Sequence, residues 1–121
     1  MMTPHSVLFV LRHSPYGSDM AKSAIDAALA FAAFEQPLNL LFLGDGVLQL
    51  VPGQDGKVIG RKTIYKQLLS LPMYDVERIY VDSMAAQRHR IDLAEFPASV
   101  KRVSEGEAHA LMCDHRHVLG F

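Results

Sequence analysis

The sequence predicts a three-layer α/β/α domain built on a mainly parallel sheet of about five strands. Three observations carry that expectation. Val7 to Leu11 is an unbroken apolar run containing valine and phenylalanine, stopped by Arg12-His13-Ser14-Pro15. A strand apolar on both faces belongs inside a parallel sheet, not in a half-exposed hairpin. Leu38 to Gly53, LNLLFLGDGVLQLVPG, repeats the theme: an apolar run breaks at Gly-Asp-Gly, as a buried strand does when it delivers a polar loop to a sheet edge. Strand-like and helical stretches then alternate to the last residue, in the order β-α-β-α-β-α-β-α-β.

Taking the elements in order, Pro15-Tyr16-Gly17 reads as loop after the first strand, and Ser18 or Asp19 can cap a helix running to Glu35. Ile25, Ala28, Leu29 and Ala32 fall on the face that can cover the sheet. Met20, Ala24, Ala27, Phe31 and Phe34 extend the apolar surface beyond what one packed face needs. The distal half of this helix is therefore expected to be buried nearly all round, and Ala27, Phe31 and Phe34 become candidates for an interface with another chain. Gln36-Pro37 ends the helix. After the Leu38 strand, the stretch from Asp45 to Gln54 is read as a shaped loop. A helix is expected from about Lys57 to Leu71, with Ile59, Ile64, Leu68 and Leu71 on one side. Ile79-Tyr80-Val81 reads as a strand, and Asp82-Ser83 as the cap of a short helix covering Met84 to Arg90. Ile91 to Pro97 is loop-like, and Val100 and Val103 suggest a fourth strand. Ser104 and Glu107 form a capping box for a helix ending near Asp114, and Val118 to Phe121 is a final short strand.

Bulk properties narrow the function classes. The 121 residues suffice for one domain spanning residues 1–121, with a core of its own. Half the residues are hydrophobic, which argues against disorder. Twelve basic against thirteen acidic residues give a formal net charge of -1, too balanced to draw in nucleic acid or an anionic membrane by field alone. Cys113 is the one cysteine, so no internal disulfide can form. The first residues do not read as a signal peptide and no apolar run approaches a membrane span, so a soluble cytoplasmic protein is expected.

Candidate chemistry is sparse. Asp45 stands where the second strand stops, at the carboxyl edge where ligand sites collect in open α/β sheets. With no partner in nearby sequence, it is expected to brace its own Gly-Asp-Gly loop by an Asx-type hydrogen bond. Cys113 is a thiol site only if its thiolate is favoured, and the carboxyl end of a helix opposes that. His109, Cys113 and His117 recur every four residues, yet a strand beginning near His117 breaks the register a zinc site would need. Ser14, Gly17, Ser18 and the following helix N-terminus leave a flavodoxin-like flavin site as an alternative. Arg88-His89-Arg90 reads as a solvated surface without the interleaved aromatics of an RNA-binding face. We expect no bound metal and no cofactor.

FLGDGVLQLVPGQ, then MYDVERIYV, then a terminal HVLGF give the chain a resemblance to the sulfur-relay family of DsrE, DsrF and DsrH proteins, with TusC/DsrF-type subunits the nearest pattern. The motif residues are Asp45, Gly46, Val47, Gln49, Leu50, Gly53 and Gln54. The resemblance implies a parallel three-layer fold and a heterohexamer containing two copies each of TusB/DsrH-, TusC/DsrF- and TusD/DsrE-like subunits. It implies relay of persulfide sulfur toward 2-thiolation of the tRNA wobble uridine, linked indirectly to a persulfide donor and a thiolation enzyme. In sulfur-oxidising relatives the same architecture serves dissimilatory sulfur metabolism. The family's sulfur-bearing cysteine lies in the sister subunit, after its third principal strand. The matching stretch here, Val81-Asp82-Ser83-Met84, has no cysteine. The resemblance therefore implies a structural subunit without activity of its own, meeting partners through its first helix and the Asp45–Gln54 loop. The enzyme alternative places persulfide on Cys113.

Overall fold

The computed structural model describes residues 7–13, 20–34, 38–50, 68–74, 78–91 and 99–121. Five parallel strands form one sheet in the order β4-β3-β2-β1-β5. They are β1 (Val7–Leu11), β2 (Leu38–Phe42), β3 (Arg78–Asp82), β4 (Ser99–Val103) and β5 (His117–Gly120). Among the described residues, the helices with both ends placed are α1 (Met20–Ala33), α2 (Ser83–Arg88) and α3 (Glu105–Asp114). The expected parallel α/β class is what the chain adopts.

Strand position follows from side-chain chemistry. β1 is buried at every residue and lies between β2 and β5, so its apolar run faces helices on both sides. Alternate residues separate into two cores. Phe9, Leu11, Leu40, Phe42, Ile79 and Val81 face α1 and α2. Leu8, Val10, Leu41 and Tyr80 face α3 through Ala108. Each fully buried Leu, Ile or Phe here contributes about 2–3 kcal/mol of apolar transfer free energy.

The α1 segment is alanine-rich, which favours helix and permits close approach to the sheet. Ile25, Ala28 and Ala32 are buried as expected, Leu29 of the same face is half-buried, and Ala24 is buried beside them. Within the single chain the distal half is covered on one side only. Ala30 and Ala33 are exposed, and Phe34 is 78% exposed. Ala27 and Phe31 are half-buried against the chain's own core, with the Phe31 ring edge-on to Phe9 at 5.3 Å. Of the three proposed interface residues, only Phe34 is left fully outside.

The final strand is an edge strand exposed at every residue, and the ladder continues past it. The Phe121 amide donates to the Val10 carbonyl at 2.9 Å and the Arg12 amide to Phe121 at 3.2 Å. This lays the Phe121 ring against Phe9 at 5.4 Å, nearly parallel. Leu68 and Leu71 are buried as expected of the second helix, and a 3₁₀ turn spans Leu71–Tyr74. The remainder of that expected helix, 57–67, lies outside the described residues.

Candidate functional site

The carboxyl ends of β1, β2, β3 and β4 assemble one edge, and each strand delivers its polar groups there. Beyond β2 the Leu43 amide donates to the Leu11 carbonyl at 3.0 Å, so the chain crosses directly over the end of β1. Gly44 has φ +53, a conformation glycine adopts without penalty. The stretch expected to be a loop is then a 3₁₀ helix, Gly44–Leu50, and mostly interior. Val47 and Leu50, three residues apart, share one side because 3₁₀ geometry eclipses that spacing, and both are buried in the α1-side core.

Gly46 is required by proximity. A Cβ there would penetrate the Leu11 carbonyl oxygen and lie 2.8 Å from the carbonyl carbon and 3.2 Å from the Arg12 Cα. Gln49 is only 1% exposed, and its Nε2 donates to the His13 carbonyl at 2.8 Å. Its Oε1 has no partner among the described residues. Four of the motif residues, Gly46, Val47, Gln49 and Leu50, therefore build the interior and not an interface surface. Gly53 and Gln54 lie outside the described residues.

Asp45 does turn outward, with its side chain 64% exposed. The Asx brace expected of it is replaced by a contact from another loop. His89 Nε2 stands 3.3 Å from Asp45 Oδ1 and donates when that nitrogen carries the proton. The loop amide at Gly44 is held instead by Asp82 Oδ2 at 3.4 Å.

Asp82 organises the β3 end. Its Oδ1 also accepts from the amides of Met84 (3.1 Å) and Ala85 (3.4 Å), capping α2 as expected. At the other end of α2, the Arg90 amide donates to Gln87 and the Ile91 amide to Ala86 at 3.0 Å. That pair of bonds is a Schellman motif, with Ala86 and Ile91 both buried in the α1-side core. Its left-handed position, usually glycine, is Arg90 with φ 54. The Arg102 guanidinium donates to the Ile91 carbonyl at 3.4 Å and holds the exit.

Beyond β4, Ser104 and Glu107 form the expected capping box of α3. Hydrogen bonds from the Ser104 amide and then from its hydroxyl hold the Glu107 carboxyl below its ordinary pKa, with Lys101 adding attraction. Between α2 and α3 opens a cleft of about 760 Å³. Leu43, Ala108 and Met112 line it together with Met84, Arg88 and His109. No thiol lies among its lining residues.

Cys113 is exposed, with Sγ 3.7 Å from His109 Nε2 one turn earlier. His117 is on β5, away from that helical register. Among the described residues no cluster of His, Cys, Asp and Glu could hold a metal ion. His115 is buried, its Nδ1 donating to the Leu111 carbonyl at 2.7 Å while Nε2 accepts from Asn39 at 2.9 Å. Ser14, Gly17 and Ser18 lie outside the described residues. No described helix is long and apolar enough to cross a membrane.

Sequence reasoning missed His89 as the partner of Asp45, the burial of Gln49 and the reach of Asp82 to Gly44. A signal existed for the first and third. β2 and β3 are neighbours, so the loops leaving their carboxyl ends must meet.

Comparison with known proteins supplies the chemical context. Residues 5–121 match the model of the DsrE/DsrF-like family. A protein TusC homolog of Pseudomonas aeruginosa is 41% identical over 64% of this chain and 66% of its own length. One from Haemophilus influenzae is 30% identical over 80% and 83%. The intracellular sulfur oxidation protein DsrF of Allochromatium vinosum is 45% identical over 62% and 55%. The match thus spans just under two thirds of the Pseudomonas protein and little over half of the Allochromatium one. The crystal structure of the ychN protein of E. coli superposes with a TM-score of 0.76 at 19% identity, covering 97% of this chain and 99% of that one. That likeness speaks for the fold.

Proposed function

Because the chain belongs to the DsrE/DsrF-like family, we propose that it is a structural subunit of a sulfur-relay complex. Its partners on this reading are TusB/DsrH-like and TusD/DsrE-like subunits, two copies of each joining two of this chain. The complex passes persulfide sulfur toward 2-thiolation of the tRNA wobble uridine in the cytoplasm, and sulfur oxidation is the second reading, favoured by the DsrF relative.

One observation supports a non-catalytic role above the rest. The carboxyl end of β3, where the sister subunit's sulfur-bearing cysteine is expected, carries Asp82-Ser83-Met84, with the Asp82 carboxylate engaged by the amides of Met84, Ala85 and Gly44. Neither a hydroxyl nor a carboxylate can hold a persulfide, and Cys113 sits elsewhere, on α3. Native mass spectrometry of the chain with TusB- and TusD-like subunits should give a mixed assembly. A monomer indifferent to both partners would refute the proposal. Incubation with a persulfide-loaded donor should leave the mass of the chain unchanged; one added sulfur atom, lost in Cys113→Ser, would make it a carrier.

A further inference from the structure

The two outer strands of the sheet are built differently. β4 carries Lys101 and Arg102 in its interior, both exposed. Charges placed on an outer strand are one way natural sheets keep it from pairing with another chain. β5, at the opposite edge, reads His-Val-Leu-Gly and is exposed at every residue, with Val118 at 42% and Leu119 at 38%. No lysine, arginine, aspartate, glutamate or proline stands in it. Among the described residues no strand lies beyond it.

The β1–β5 ladder fixes which backbone groups of β5 face outward. Phe121 turns both its amide and its carbonyl to β1, at Val10 and Arg12. Backbone direction alternates from residue to residue along a strand. Leu119 and His117 therefore face β1 as well, and Val118 and Gly120 turn their amides and carbonyls to the open edge. Side chains alternate too. Leu119 is in register with Phe9 and shares its α1-side face, whereas Val118 is in register with Leu8 on the α3 side.

A second copy related by a two-fold axis meets those groups antiparallel, and the edge is self-complementary in one register. Only outward-facing residues can exchange bonds across the axis. With Leu119 on the axis, Val118 of each copy opposes Gly120 of the other, and both pairs lie within β5. With Val118 on the axis, Gly120 would need Arg116, which precedes the strand. The first register also sets Leu119 against Leu119 as a close, non-hydrogen-bonded apolar pair, and lays each Val118 beside a glycine. No charged side chain of β5 meets its like, whereas the same operation at β4 would bring the Lys101-Arg102 pairs of two copies together. We propose that β5 pairs with β5 of a second copy about a two-fold at Leu119, joining the two sheets into one. The strand is short, so the dimer belongs to the weak, concentration-dependent class. The contact stands apart from the relay reading, because the chain alone supplies both halves.

Sedimentation velocity of the chain alone over a concentration series should show monomer passing to dimer. Leu119→Lys sets two ammonium groups face to face and should weaken dimerisation on the order of tenfold or more. Disulfide trapping reads the register. Opposed α-carbons of a non-hydrogen-bonded pair lie about 4.5 Å apart, inside the roughly 4.4–6.8 Å that a disulfide spans. In a Cys113→Ser background, Leu119→Cys should therefore trap a dimer under a mild oxidant. Val118→Cys should not, because diagonal neighbours stand about 7–8 Å apart, beyond that reach. Circular dichroism checks that each variant is folded. Wild-type chain that stays monomeric at every concentration overturns the proposal. So does a folded Leu119→Cys that traps no more dimer than Val118→Cys. If Leu119→Lys leaves self-association unchanged and abolishes binding to a TusB- or TusD-like subunit, the edge takes a strand of that subunit and the self-pairing is overturned.

Discussion

Substituting Gly46 by alanine tests whether the 3₁₀ segment is clamped onto the end of β1. The new methyl would meet backbone on every near side: the Leu11 carbonyl oxygen inside contact distance, its carbon at 2.8 Å and the Arg12 Cα at 3.2 Å. Ordinary C···O contacts lie near about 3.3–3.6 Å, so the segment must retreat by roughly an ångström. Retreat opposes the Leu43-to-Leu11 bond of 3.0 Å and the Gln49-to-His13 bond of 2.8 Å. Overpacking costs about 1–3 kcal/mol and a stretched buried hydrogen bond about 1–3 more, giving an expected loss of roughly 2–6 kcal/mol. For a domain of this size that is on the order of a 5–30 °C drop in Tm. Urea titration followed by circular dichroism reads the first figure directly. Gly106→Ala is the matched control, since a Cβ there meets nothing within 4 Å; it should stabilise, by up to about 1 kcal/mol. If Gly46→Ala unfolds within about 0.5 kcal/mol of wild type, the effect is that of an ordinary surface site and the clamp is refuted.

Other expectations follow from the same edge. Asp82→Ala removes the cap of α2 and the tie to Gly44, and should cost about 1–2 kcal/mol in urea titration, with Asp82→Asn retaining most of it. Arg90→Gly relieves the left-handed strain and should raise stability by about 0.5–1 kcal/mol; a loss would show that the arginine side chain supports the fold. Ser104→Ala should cost about 1 kcal/mol and also change the acid limb of the stability profile. Because Glu107 has its pKa lowered in the folded chain, its contribution is complete above the ordinary glutamate value and is lost as pH falls through the folded one. Wild type should therefore decline more steeply than Glu107→Gln over that acid range, and parallel curves would refute the capping-box assignment.

The parts of this fold legible from sequence were those set by local chemistry. Val7–Leu11 could only be a strand buried on two faces, and Asp82 and Ser104 announced helix starts by residue type and by the Ser104–Glu107 spacing. What escaped was set by neighbours distant in the chain. Asp45 meets a histidine 44 positions later, a pairing that exists only because β2 and β3 lie side by side. Gln49 looked like a surface residue because amides usually are, yet the end of β1 supplies a carbonyl that draws it inside. Phe34, read as a candidate interface residue, lies outside the core because α1 ends at Ala33, just before it. The 3₁₀ segment is the middle case. The Val47–Leu50 spacing is compatible with it, but Gly-Asp-Gly read as a turn gave no hint that the helix would begin inside the glycines.

The polar groups of the carboxyl edge divide by what they touch. Asp82, Gln49, Ser104 and Glu107 bond to backbone or to each other, within residues that pack the loops onto the strands. Removing any of them should therefore change stability before it changes anything a partner senses. The guanidiniums of Arg12, Arg88 and Arg90 make no hydrogen bond or ion pair among the described residues, and at Arg90 the left-handed backbone disfavours any side chain. The same division holds at the end of β3, where the Asp82 carboxylate is occupied in holding the Gly44 turn and the start of α2 together.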